Sequence, residues 1–245
     1  MQNQIVILAA GKGTRMGRKD IPKVLVPLRG KALISRLLEE LKRFKQPTRL
    51  LIVIGFKNGH IKKLLGKDYD YALQRDQLGT AHAVWAAREK IKAKNILVLY
   101  GDMPFIKAKS LEKLMKLHES KQGIISMFTA RVPNFQGRYD VFNHYGRIIR
   151  DTFGNITKIT EYYGALPEVL EIKEVNPGIY MFNTEWLWEN IDKIQNDNAK
   201  HEFYLTDIVE VAMRQGLVIN SLPIDAREVV GINTQDQLKR LEGGV

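Results

Sequence analysis

The sequence predicts an α/β fold: a Rossmann-like, mostly parallel sheet with helices on both faces. Three observations point there. Five short runs are apolar at consecutive positions, so both of their faces must be covered. The stretches between several of them carry apolar residues at three-and-four spacing, the mark of one-sided helices. The runs also end in small or turn-forming residues, and strand and helix alternate in the way that builds parallel sheets.

Gln4 to Ala10 (QIVILAA) is the first buried strand. Ala32 to Phe44 follows as a helix, with Leu33, Ile34, Leu37, Leu38, Leu41 and Phe44 in one stripe. Leu50 to Gly55 is the second strand. A helix over Asn58 to Leu65, a short strand ending near Gln74 and a helix over Gly79 to Ile91 come next. Asn95 to Tyr100 (NILVLY) is a strand closed by "GDMP", then a helix spans Ser110 to Ser120 and a strand Ile124 to Ala130. From Arg131 to about Glu174 the pattern becomes short, polar and aromatic ("GRYDVFNHYGRIIRD", "ITKITEYYG") and reads as antiparallel hairpins inserted over the sheet. Val175 to Asn183 returns to a buried strand. Helices over Glu185 to Ile194 and Tyr204 to Gln215, a last strand at Val229 to Ile232 and a helix over Thr234 to Leu241 complete the pattern. Residues 1–245 read as one domain, with 131–174 as its insertion.

With 44% apolar and 27% charged residues the 245-residue chain has an ordinary globular balance, which excludes disordered and fibrous classes. No run approaches the ~18 apolar residues of a membrane span. Met1 to Gln4 carries no basic n-region, so no signal peptide is expected and the cytoplasm is the default. The absence of cysteine excludes disulfides, thiolate metal sites and cysteine nucleophiles. A net charge of +11 suits phosphorylated ligands, nucleic acid or a membrane surface. Lys42, Lys45, Lys62, Lys63, Lys90, Lys92 and Lys94 fall on helical faces or ends, so a solvated basic surface is favoured over a polyanion site. Neither a nucleic-acid nor a membrane partner is expected.

The stretch "LAAGKGTRMGRKDIPKVL" at residues 8–25 carries the chemistry. It fails the dinucleotide pattern G-x-G-x-x-G, because Met16 stands where the third glycine belongs, and it fails the Walker pattern at the same place and at Arg18. Ala9, Ala10, Gly11 and Gly13 have little or no side chain, so backbone N–H groups can approach a phosphate or base. Lys12, Arg15, Arg18, Lys19 and Lys23 add charge, and Pro22 stiffens the approach to Lys23. A triphosphate fits such a loop, as does a tight turn with solvated cations.

The string "LAAGKGTRM…PK" resembles the signature of the sugar-nucleotide pyrophosphorylases. The short spacing from Arg15 to Pro22 is most similar to their N-acetylglucosamine-1-phosphate uridyltransferases. The resemblance implies a nucleotidyltransferase fold, with Leu8, Ala9, Ala10, Gly11 and Gly13, together with Tyr100 and Gly101, around the nucleotide. "LQRDQLGTAHAV" resembles the uridine segment, which implies Gln74 on the pyrimidine edge and Gly79 and Thr80 against the base. An amide that donates and accepts can read the N3–H and a carbonyl of uracil together, although Gly79 and Thr80 also suit a helix N-cap. "LYGDMP" resembles the metal segment. Asp102 there ends a buried strand, where a carboxylate needs a cation or donors. Asn233 in "VVGINTQDQL" resembles the second metal ligand and equally suits an N-cap. Gly146, Glu161 and Asn176 match the sugar-holding glycine, carboxylate and amide. The stretch Gly137 to His144 and Pro177 depart from the pattern beside that pocket.

The resemblance implies a Mg²⁺-dependent transfer between UTP and a sugar-1-phosphate, with Lys12 and Arg15 on the triphosphate, Lys23 on the sugar phosphate and α-phosphate, and Mg²⁺ on Asp102 and Asn233. CTP or dTTP as donor, another sugar phosphate or a phospho-alcohol as acceptor, and a non-catalytic nucleotide sensor are the alternatives. The bifunctional bacterial enzymes continue into a hexapeptide-repeat β-helix that acetylates glucosamine-1-phosphate and builds a trimer. These 245 residues contain no such repeat, so neither property is expected of them.

Overall fold

Strand β1 (Asn3–Ala9) is buried on both faces and organises everything around it. Its odd residues Ile5, Ile7 and Ala9 enter one core and its even residues Val6 and Leu8, with Ala10, enter another. A computed structural model describes residues 2–17, 20–45, 49–55 and 57–243. Arg18 and Lys19, two cations of the first loop, lie outside the described residues.

After β1 come a two-stranded hairpin, β2 (Pro27–Leu28) and β3 (Lys31–Ala32), and helix α1 (Leu33–Leu41). Strand β4 (Arg49–Ile54), helix α2 (Asn58–Leu65), strand β5 (Asp70–Leu73), helix α3 (Thr80–Trp85) and strand β6 (Asn95–Tyr100) follow. Helix α4 (Ala108–Ser120) leads to β7 (Ile125–Arg131), the hairpin β8 (Gly146–Arg150) and β9 (Ile156–Thr160), and a single turn α5 (Pro167–Leu170). Strands β10 (Glu174–Asn176) and β11 (Tyr180–Asn183), helices α6 (Thr184–Asn190) and α7 (Asp207–Arg214), strand β12 (Ile219–Ile224) and helix α8 (Gln235–Glu242) close the chain.

Ten of these strands form one sheet in the order β5-β4-β1-β6-β11-β7-β10-β8-β9, with β12 also pairing to β7. β5, β4, β1 and β6 are mutually parallel, as two-sided burial requires, whereas β11 runs antiparallel to both β6 and β7. Helices α1, α2 and α4 contribute Leu37, Ile61 and Leu111 to the first core. Helices α3, α6 and α7 contribute Val84, Leu187 and Ile208 to the second, on the opposite face. No helix among the described residues is long and apolar enough to cross a membrane. All seven lysines assigned to helical faces or ends are exposed.

Four local expectations are corrected. Hairpin β8–β9 does not lie over the sheet; through β10 it extends the sheet's edge. Residues Gly137–His144 form a 3-10 run instead of a strand. The guanidinium of Arg147, with 0% of the residue exposed, holds that run by donating to the carbonyls of Phe142, Asn143 and Tyr145, and it also reaches that of Leu170. Val175 to Asn183 breaks into β10 and β11 around Pro177 and Gly178. The last strand is β12, since Ala226–Val229 is a 3-10 turn and Val230 to Ile232 pairs with no strand among the described residues.

Burial sets a pH dependence. His118 at the end of α4 is 1% exposed, bonded through Nδ1 to the Ser126 hydroxyl at 2.9 Å, and desolvation pushes its pKa from the ordinary 6.5 to about 4. The folded imidazole therefore stays neutral where the unfolded one takes up a proton. Its contribution is complete above pH ~6.5 and declines as the pH falls towards 4, by up to about 3 kcal/mol. Burial, aided by Glu161, raises Asp207 to about 6, which works in the opposite sense over the same range. Urea midpoints at pH 7 and pH 5 are expected to drop further for the wild type than for His118→Gln.

Candidate active site

The carboxyl ends of β1, β5 and β6 open onto a cleft of about 640 Å³. The first wall is the loop after β1. Gly13 adopts φ 65° and ψ 36°, and a Cβ on it would stand 2.5 Å from Lys23 Cβ, so a side chain there would push the lysine away. Thr14–Met16 forms one 3-10 turn, and Met16, 1% exposed, packs with Val26, Leu28, Leu33 and Ile232 in a small third core. The methionine that breaks the dinucleotide pattern is thus the loop's anchor.

Lys23 opens a 3-10 turn after Pro22, and its ammonium pairs with Asp102 Oδ2 and donates to Asn233 Oδ1 at 2.9 Å. The Arg15 guanidinium reaches the same Asn233 oxygen at 3.4 Å. Asp102 follows β6, and its carbonyl accepts from Ile232 N–H at 3.1 Å, which brings the Asn233 loop alongside. Asn233 is not the N-cap of α8. Thr234 caps it in a capping box with Gln237, leaving the Asn233 side chain to the cleft.

The second wall is the Gln74–Thr80 segment. Gln74 N–H continues the ladder to Ile54 O at 2.8 Å. The backbone of Phe203 donates to Leu78 O at 2.8 Å and accepts from Ala81 N–H at 2.9 Å. The Thr80 hydroxyl accepts from Leu205 N–H at 2.8 Å, so Thr80 fastens this turn to the loop before α7 and does not cap α3. Gly79 sits at φ 116°, and a Cβ on it would stand 2.4 Å from Phe203 O. Gly79→Ala is expected to lower stability by about 2–4 kcal/mol, measured as a urea midpoint shift.

Leu8, Ala9, Ala10, Gly11, Lys12, Gly13, Arg15, Lys23, Gln74, Gly79, Thr80, Tyr100, Asp102 and Asn233 all line the cleft. Gly101 lies beneath it, packed at 3.0 Å (from an ideal Cβ) against Val24, with its N–H on Leu8 O. The three sugar candidates meet one another beside the cleft. Asn176 is the register partner of Gly146, and Glu161 Oε1 approaches Gly146 at 3.4 Å from an ideal Cβ. The Asn176 amide is largely engaged, accepting from Gly178 N–H at 2.9 Å and donating to the Tyr180 hydroxyl at 2.7 Å. Burial raises the pKa of the Glu161 carboxyl, and burial together with Glu161 raises that of the hydroxyl of Tyr100, a residue that lines the cleft.

Seven lining residues are not among the candidates named from sequence: Thr14, Val24, Gln77, Ala83, Tyr163, Lys200 and Glu202. Lys200 stands over the Tyr163 ring at 4.7 Å. Its loop is folded by Asn198, whose side chain accepts from Lys200 and Glu202 N–H groups at 3.2 and 3.3 Å. Thr14, Val24, Gln77 and Ala83 lie inside the two quoted segments and Tyr163 stands near Glu161, whereas no sequence signal points to Lys200 or Glu202.

Asp102 Oδ2 and Asn233 Oδ1 converge on one ammonium, so they also suit one hard divalent cation whose other ligands come from substrate and water. Among the described residues no three His, Asp or Glu side chains converge as a complete metal cage.

The sequence profile of the MobA-like NTP transferase domain matches residues 5–171. The bifunctional protein GlmU of Paraburkholderia phytofirmans is 41% identical over 241 residues, covering 97% of this chain and 51% of that protein. Its counterpart in Caldicellulosiruptor saccharolyticus is 38% identical, covering 97% and 50%. The chain thus spans about half the length of the curated relatives it matches. A UDP-glucose pyrophosphorylase structure complexed with UDP-glucose superposes with a TM-score of 0.76 at 17% identity, covering 100% of this chain and 98% of that one. A CMP:2-keto-3-deoxy-manno-octonic acid synthetase complexed with CTP gives 0.69 at 15%, covering 99% and 98%. These neighbours share the mostly parallel sheet with its added antiparallel strands, and with a profile match over most of its length the chain belongs to the MobA-like NTP transferase family.

Proposed function

We propose that the protein joins UTP to a sugar-1-phosphate, best N-acetylglucosamine-1-phosphate, releasing pyrophosphate and a UDP-sugar. The observation that carries this reading is the convergence of the glycine loop, Gln74 and the Lys23–Asp102–Asn233 group on one cleft. An oxygen of the sugar phosphate attacks the α-phosphorus of UTP in line; the bond to the pyrophosphate oxygen breaks and pyrophosphate leaves. A phosphate monoester is a competent nucleophile near neutral pH, so the residues have to bring two anions together and stabilise charge on the transferred group.

Lys12 and Arg15 hold the triphosphate, and Lys23 holds the sugar phosphate against the α-phosphate. Asp102 and Asn233 would hold Mg²⁺, which when bound neutralises phosphate charge that the lysines leave uncompensated. Residues 131–174, which place Gly146 and Glu161, form the acceptor side of a single catalytic domain. The test is to measure pyrophosphate released from each nucleoside triphosphate with Mg²⁺ and a panel of sugar phosphates and phospho-alcohols. UTP with N-acetylglucosamine-1-phosphate is expected to be fastest. Binding of UTP without turnover under any pairing would make the protein a nucleotide sensor.

A further inference from the structure

Gln74 is 3% exposed, and its amide nitrogen is fully committed inside the protein. Nε2 donates to the Gly79 carbonyl at 3.0 Å and lies 3.1 Å from His82 Nδ1. A carbonyl oxygen only accepts, so the nitrogen of the amide must face Gly79, and chemistry fixes the flip. An amide nitrogen has two hydrogens and no acceptor capacity. Its second hydrogen therefore goes to His82 Nδ1, which accepts, and the ring's own hydrogen resides on Nε2. Both partners belong to one turn at the start of α3, which Phe203 and the Thr80 hydroxyl bond fasten in place. The remaining polar atom, Gln74 Oε1, accepts no hydrogen bond among the described residues, and Gln74 lines the cleft. The site thus offers a pyrimidine edge an acceptor and no donor from this amide, so the expected double reading of uracil reduces to a single contact.

On the reading that the cleft takes a nucleotide with its base at Gln74, we propose that His82 is a positioning residue that makes the site select an imide pyrimidine, uracil or thymine, over cytosine. Uracil and thymine carry N3–H and donate it to Oε1. Cytosine presents a bare N3 there, lone pair against lone pair, and its amino group reaches Oε1 only if the base slides from its slot. His82 adds a second hydrogen bond to the one at Gly79 O, so turning a donor towards cytosine N3 would break two hydrogen bonds instead of one. Discrimination by a mispaired buried acceptor is large compared with that from shape alone.

The test is equilibrium titration of the protein with the matched pairs UTP and CTP, and dTTP and dCTP. Wild type is expected to bind the imide member at least about 30-fold more tightly in each pair. His82→Ala removes one of the two bonds that hold the amide against flipping and is expected to narrow both ratios by about tenfold. His82→Asn, whose Oδ1 stands near the position of Nδ1, is expected to restore them. A role confined to holding α3 would weaken all four nucleotides alike and leave the ratios unchanged, which would overturn the proposal, as would equal binding of UTP and CTP by wild type. If UTP binds and the ratios do not respond, the transferase reading stands without His82. If no pyrimidine nucleotide binds, both fall.

Discussion

Lys23→Ala is expected to reduce pyrophosphate release by at least about 10²-fold while the protein remains folded. The ammonium is the cation that meets both Asp102 Oδ2 and Asn233 Oδ1, and it stands at the point where the loop, the β6 end and the Asn233 segment converge. Removing one preorganised charge at a centre of developing negative charge typically lowers kcat by ~10²–10³. The loss belongs in kcat, because Lys12 and Arg15 still line the cleft for the triphosphate. A second readout separates this from unfolding. In the nucleotide-free protein the ammonium and a divalent cation compete for the same two oxygens, so Lys23→Ala is expected to bind Mn²⁺ more tightly than wild type, as followed by electron paramagnetic resonance. Lower Mn²⁺ affinity would mean that Asp102 and Asn233 do not form a cation site.

The parallel half of the fold was legible because its strands are apolar on both faces, a property of residues in sequence alone. β4 and β6 fall within a residue of their expected limits for that reason. β12 was missed because Ile219–Ile224 is mostly half-exposed and contains Pro223, which reads as a break, although an edge strand tolerates proline. The 3-10 run at Gly137–His144 depends on Arg147, a tertiary contact that no local pattern announces. In the site, the glycines and cations of the first loop carry their chemistry in their identity. Lys200 and Glu202 do not: they reach the cleft because Phe203 docks on the Gly79 turn more than 120 positions earlier in the chain. Which hydrogen-bonding end of Gln74 is left unengaged beside the cleft is likewise set by Gly79 O and His82, not by the glutamine itself.

Asp102→Asn is the second substitution with a large expected effect, and it tests the cation site without altering shape. The side chain is 10% exposed and pairs with Lys23, so its charge has little solvent to replace what it supplies. Asparagine keeps the size and one oxygen for Lys23 but removes the formal charge that a divalent cation needs, since Asn233 contributes only a neutral oxygen. Turnover is expected to fall by about 10²–10³-fold, with saturation by Mg²⁺ moved to higher concentration. Stability is expected to change little, because the hydrogen bond to the ammonium survives. Asp102→Ala, by contrast, leaves the ammonium with Asn233 alone among these partners and is expected to lower stability by about 1–3 kcal/mol as well. The two variants therefore separate charge from support. Pyrophosphate release titrated against Mg²⁺, set beside urea unfolding of both proteins, reads the difference. Near wild-type turnover in Asp102→Asn with an unshifted Mg²⁺ dependence would remove Asp102 from the cation site.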